Sequence, residues 1–156
     1  MLEKLTDPQD VILHEGEIPV RHRYTPGVAG EAFFRALKDR GVFLASRCES
    51  CDVTYCPARL FCERCFDELR PDTEVGPEGT LASFTVGYVG VEGEPLEEPV
   101  IVALVQPDGA DTFLMGFLWN GADDPPPEIG QRVEAVLKAK SKRTGSILDI
   151  EGFRPA

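Results

Sequence analysis

The sequence predicts a mainly β chain in which one N-terminal helix and a pair of cysteine knuckles lead into a five-stranded closed barrel. Three observations carry that expectation: a doubled Cys-x-x-Cys at 48–51 and 62–65, one segment of helical period before it, and five separate strand signals after Gly79 with no long helical pattern among them. With 156 residues, 42% of them apolar and 28% charged, the chain has the size and balance of one ordinary globular domain. Any second unit must be small and needs its own means of staying folded.

Residues 1–27 mix charges with Pro8, Pro19 and Pro26 and show little periodicity, so they read as an extended arm. Thr25-Pro26 then gives a helix start signal, and Val28, Ala29, Ala32, Phe33, Ala36 and Leu37 recur at helical spacing until Gly41, which predicts an amphipathic helix over 28–40. Adjacent Phe33 and Phe34 do not both fit the centre of one narrow stripe. The apolar surface is therefore broad enough to meet two neighbours, and Phe33 and Phe34 are the candidate contacts should one of them be another chain. The competing reading is a helix that covers only its own domain.

Residues 41–72 carry the cysteines, with short strands expected at 42–47 and 53–55 and Pro57 ending the second. The barrel is assigned to 73–156. Thr80 to Tyr88 alternates, placing Ala82, Phe84, Val86 and Tyr88 on one face, while Val100 to Val105 is continuously apolar, as in a strand covered on both sides. Phe113 to Trp119, Val133 to Ala139 and Ile147 to Phe153 supply the remaining three strands, and 90–99, 106–111 and 120–130 have connector composition. Phe113, Met115, Phe117 and Trp119 are expected to fill the barrel rather than to line a ligand pocket. Five strands after a knuckle pair fit a barrel of the OB type better than a sandwich.

Cys48, Cys51, Cys62 and Cys65 are the candidate metal ligands. Two residues between paired cysteines let both thiolates reach one ion, and two such pairs fill a zinc tetrahedron, leaving no place for a substrate. The site is thus expected to be structural. Five cysteines within 18 residues of a chain whose first ten residues lack a secretory pattern favour metal over disulfides, with the cytoplasm as the expected compartment and no apolar run of membrane-spanning length. An iron-bearing electron carrier remains an alternative, but rubredoxin knuckles usually carry glycine after the second cysteine where this chain has Asp52 and Phe66. Cys56, the fifth cysteine, reads as a small buried hydrophobe.

The formal net charge is −11, which argues against general affinity for a phosphate backbone and so against a single-stranded nucleic-acid module, the other common use of such barrels. Basic residues do cluster at Lys138, Lys140, Lys142 and Arg143. Only two histidines occur, His14 and His22, both in the arm, and no paired-carboxylate, phosphate-loop or Ser-His-Asp pattern can be assigned. No catalytic residue is therefore named, and the chain is not expected to break bonds unaided.

Taken in order, Phe33-Phe34, Arg47-Cys48 through Cys65 with Pro57 and Arg59, Gly79-Thr80, Ser83-Phe84-Thr85, Pro99 to Val105, Ile129 to Val133 and Phe153-Arg154-Pro155 resemble a bacterial and archaeal family that joins a rubredoxin-like zinc ribbon to an OB fold. The resemblance covers about residues 28–156. It departs at Asp52, Cys56 and Ala58. What it implies is a small, non-catalytic subunit of a hetero-oligomer with a thiolase-fold chain acting on acyl-CoA, in which the larger chain supplies the chemistry. On that implication Lys138, Lys140, Lys142 and Arg143 are candidates for the phosphates of a shared coenzyme A, and the ribbon and helix for docking.

Overall fold

The computed structural model describes residues 16, 21–119 and 126–156. The expected arm and His14 lie largely outside them, while His22 is exposed. One helix, α1 (Gly27–Arg40), precedes two sheets: β1 (Phe43–Cys48), β2 (Val53–Tyr55) and β3 (Thr73–Val75) form the first, and β4 (Glu78–Val89), β5 (Pro95–Pro107), β6 (Leu114–Phe117), β7 (Arg132–Leu137) and β8 (Ile150–Pro155) the second.

The helix begins where Thr25 Oγ1 accepts the Gly27 amide at 3.2 Å, and it stops at Gly41. There φ is 73°, a left-handed value that suits glycine, and the Gly41 N–H donates to the carbonyls of both Ala36 and Leu37 at 3.0 Å. Ala29, Phe33, Ala36 and Leu37 form its buried face.

In the small sheet β1 lies between β2 and β3, antiparallel to both. Strand β3 was not expected from sequence. Three residues of ordinary composition give too little periodicity to read, and their pairing with Phe43–Ala45 depends on the chain returning from the second knuckle.

The larger sheet runs β6-β5-β4-β7-β8, every neighbouring pair antiparallel. Its ends meet through a parallel bridge between Leu118 and Phe153, where the Trp119 N–H donates to the Phe153 carbonyl at 2.7 Å. That closure and strand order give the expected five-stranded OB barrel. Leu81, Ala103, Val105, Leu114, Leu118, Val133 and Phe153 fill it, continuous with Phe33, Leu37 and Phe43.

Several expectations need correction. Residues 95–99, assigned to a connector, extend β5, while 147–149 form a 3-10 turn rather than the start of β8. Val100 to Val105 is covered on one side only: Ala103 and Val105 point inward, but Val100 and Leu104 are exposed. Most consequential, Phe113, Met115, Phe117 and Trp119 do not fill the barrel and are all exposed, whereas Leu114 and Leu118 point inward. The segment is apolar at nearly every position, so either phase looks like an inner face. Gly116 marks the inward phase, because a Cβ there would sit 3.0 Å from the Phe153 ring, a close approach that glycine accommodates most easily.

The two sheets are fastened to each other. The Thr54 amide donates to Asp111 Oδ2 at 2.8 Å, the Asp111 amide to the Thr54 carbonyl at 2.9 Å, and the Cys56 amide to Thr112 Oγ1 at 2.7 Å, whose hydroxyl in turn donates to the Cys56 carbonyl at 2.7 Å. Thus β2 and the turn between β5 and β6 form a single hydrogen-bonded unit.

Candidate metal centre

Cys48 ends β1 and Cys51 lies in the turn that reverses the chain into β2; Cys62 and Cys65 occupy the corresponding turn of the second knuckle. Both turns need a left-handed residue after the second cysteine, and both have one: φ is 53° at Asp52 and 63° at Phe66. Glycine usually bears that conformation without cost. At Asp52 a short polar side chain tolerates it, and an ion pair with Arg47 holds the carboxylate in place. Phe66 is exposed, so no packing of its ring within the chain accounts for its presence in a strained turn.

The four Sγ atoms all lie within 4.8 Å of one another, and Cys48 Sγ is 3.5 Å from Cys65 Sγ. A tetrahedral ion with Zn–S near 2.3 Å needs sulfurs about 3.8 Å apart, so side-chain shifts of under about 1 Å bring this donor set to a zinc tetrahedron. Cys48 and Cys62 are buried, while Cys51 and Cys65 sit nearer the solvent. Around them Val53, Tyr55 and Leu69 make a small separate core.

The neighbours of Cys62 favour its thiolate. The Tyr55 hydroxyl lies 3.3 Å from its Sγ and the Arg64 amide donates to it at 3.4 Å. Chiefly through the Tyr55 hydrogen bond, the thiol is lowered to about 6, and the same bond raises Tyr55 to about 12. Sequence reading missed Tyr55, because an aromatic residue in a short strand carries no signal of a sulfur partner. Cys56 lies in the main core away from the four, and burial pushes its thiol up to about 12.

The remaining candidates fare differently. Phe33 is only 1% exposed, its ring 6.3 Å from that of Phe43, so its assignment as a partner contact is corrected to a core role. A helix face turned toward β1 has no access to another chain. Phe34 is half-buried at the border of a 290 Å³ cavity shared with Lys38 and Gly145. Lys140 and Lys142 form an exposed 3-10 turn between β7 and β8, and Lys138 is half-buried at its base. Arg143 turns inward. Its Nε donates to the Lys138 carbonyl at 2.8 Å and its Nη1 to the Leu37 carbonyl at 3.4 Å, so the guanidinium closes the carbonyl end of α1, where a cation is favoured.

Asp149, which sequence reading passed over, organises that loop. It is fully buried, and its carboxylate accepts from the amides of Thr144 at 2.9 and 3.1 Å, Gly145 at 2.7 Å and Ser146 at 3.3 Å. Burial pushes its carboxyl up, but the three amides and the charge of Lys138 outweigh this and hold it below the usual carboxylate range. A depressed folded value means the stabilisation is full above the ordinary carboxylate pKa and fades as pH falls through the folded value. Asp149→Asn is expected to cost about 2–3 kcal/mol at neutral pH. Urea unfolding from pH 7 to pH 2 should show the difference between variant and native chain shrinking below about pH 4; a constant difference would overturn the assignment.

Comparison with known proteins adds the following. Residues 35–70 match the ChsH2 rubredoxin-like zinc ribbon domain and residues 72–138 the ChsH2 C-terminal OB-fold domain. A DUF35 domain-containing scaffold protein of Methanocaldococcus jannaschii is 25% identical over 67% of this chain and 74% of its own length. A DUF35-family protein of unknown function from Sulfolobus solfataricus superposes with a TM-score of 0.62 at 25% identity, covering 83% of this chain and 84% of that one. A chain of the Ltp2–ChsH2(DUF35) aldolase superposes with a TM-score of 0.53 at 26% identity, over 79% of this chain and 91% of that one. The four cysteines therefore form a site of the zinc-ribbon type. No helix among the described residues is long and apolar enough to cross a membrane.

Proposed function

The chain belongs to the ChsH2 family of zinc ribbon plus OB-fold proteins, and from that premise we propose that it is a non-catalytic accessory subunit of a thiolase-like acyl-CoA acyltransferase or aldolase. The observation that carries this reading is the superposition on a chain of an aldolase named for two proteins, Ltp2 and ChsH2. The chain's own residues agree with a supporting role. Four sulfurs close the metal site completely, so one zinc ion held by Cys48, Cys51, Cys62 and Cys65 supplies folding free energy and offers no open position to a substrate.

On this reading Lys140 and Lys142, exposed between β7 and β8 with Lys138 at their base, meet the phosphates of acyl-CoA held jointly with the catalytic chain. Arg143 contributes by fixing the loop to α1. The alternative of nucleic-acid binding gains no support from the barrel, whose exposed aromatic strand has acidic rather than basic neighbours.

Affinity purification of the tagged chain from its own organism tests the proposal. A stoichiometric thiolase-fold polypeptide, identified by mass spectrometry, is the expected companion. A chain that never retains one, or that turns over an acyl-CoA thioester alone, would sink the proposal.

A further inference from the structure

The charge of this protein is segregated. Between Pro71 and Gln131 the sequence holds twelve carboxylates and no lysine or arginine, whereas the other 95 residues carry 15 acidic and 16 basic side chains and are close to neutral. The whole net charge therefore belongs to the part of the chain that folds as β3 through β6 and their connections. Some of these acids are compensated: Glu74 pairs with Arg40, and Asp108 with Arg132. Among the described residues Glu92, Glu94, Glu97 and Glu98 make no ion pair; the first two lie in the turn that precedes β5 and the last two at its start.

The same strands carry an uncovered apolar face. Val102 stands opposite Phe117 and Leu104 opposite Met115 across the β5–β6 ladder, so their side chains share one side of the sheet with Val100. Met115 is 71% and Phe117 54% exposed, and Trp119 continues the line beyond β6. A cleft of about 320 Å³ lies between Glu98, Val100, Phe117 and Trp119. Methionine and aromatic side chains in a contiguous exposed row are the composition of an interface centre, and soluble monomers rarely leave such a row open.

We infer that the outer face of β5 and β6 is the docking surface for the catalytic chain, and that the matching surface on that chain is apolar at its centre and rimmed by lysine and arginine. Charge selects the occupant. A second copy of this chain would set one acidic segment against another, and coenzyme A or nucleic acid would bring phosphates toward uncompensated glutamates. A cationic rim converts the same field into attraction and raises the rate of encounter. The assignment also gives the two roles to different elements, because the lysines lie in the turn between β7 and β8 while the docking face is built on β5 and β6. It rests on the reading that a larger catalytic partner exists.

The experiment repeats the purification with two further chains. Met115→Thr with Phe117→Thr removes apolar area while keeping strand-forming residues, and Glu97→Lys with Glu98→Lys reverses the rim; zinc content and melting temperature report that each is folded. Both are expected to retain at least tenfold less catalytic chain than the native protein, and 500 mM salt should lower native capture severalfold relative to 50 mM. Amide exchange in the complex should protect 100–104 and 115–117.

If both variants capture native amounts, the docking inference fails while the accessory-subunit reading stands; if the native chain captures none, both fail. A native dimer in sedimentation that dissociates on the threonine substitutions would assign the face to a second copy and overturn the inference. So would protection of 100–104 and 115–117 in the isolated chain that disappears on deleting residues 1–20.

Discussion

Cys62→Ser is expected to unfold the ribbon and release its metal. Cys62 is fully buried, its sulfur lies within 4.8 Å of the other three, and it receives the Tyr55 hydroxyl and the Arg64 amide, so serine loses a ligand and leaves two donors facing a weaker acceptor. Structural zinc contributes about 10–16 kcal/mol of apparent binding free energy in small ribbons, comparable with the whole stability of an ordinary domain at about 5–15 kcal/mol. The local core of Val53, Tyr55 and Leu69 is too small to replace it. Elemental analysis should find one zinc per native chain and none in Cys62→Ser, and a strong chelator should reproduce the loss of β structure reversibly. Cys56→Ala is the control. Its sulfur belongs to the main core, so that variant should keep its zinc at a cost of about 1 kcal/mol. A Cys62→Ser chain that melts like the native protein with zinc still bound would refute the assignment.

Phe33→Ala is expected to cost about 3–5 kcal/mol, a drop in melting temperature of roughly 10 °C, without any partner present. The ring stacks on Phe43 at 6.3 Å and meets the edge of Phe34 at 5.5 Å, in the cluster that joins α1, β1 and the barrel. Alanine leaves a cavity between α1 and β1 in a close-packed core, which relaxes only partially. Phe34→Ala, at a half-buried position, should cost much less. Denaturant unfolding of the isolated chain separates the roles. A Phe33→Ala protein of native stability would return this residue to the surface contacts.

What could be read from the amino acids alone was whatever depends on neighbours in sequence. The cysteine pairs are local, and so is the 28–40 periodicity; both are found as expected. The strands of the barrel were legible as segments because alternation and connector composition are short-range signals. Their phase was not. From Phe113 to Trp119 nearly every residue is apolar, and only the approach of Phe153, from the far end of the chain, tells Gly116 to face inward and Met115 and Phe117 to face out. Two-sided burial of β5 failed for a related reason, since a continuous apolar run records burial or an interface equally well. Asp149 is the extreme case: one acid in a turn reads as solvated, and its role exists only once three amides converge on it.

The paired bonds between Thr54 and Asp111 and between Cys56 and Thr112 bear on how far the two halves can be exchanged between relatives. Each half supplies backbone groups that only the other satisfies, so a chimera cut cleanly near residue 71 would bury orphaned donors and acceptors at the seam. The transferable piece is the ribbon together with the 108–112 turn. A graft that carries both should inherit the partner preference of its barrel donor, and one that ignores the turn should fail before any preference can be measured.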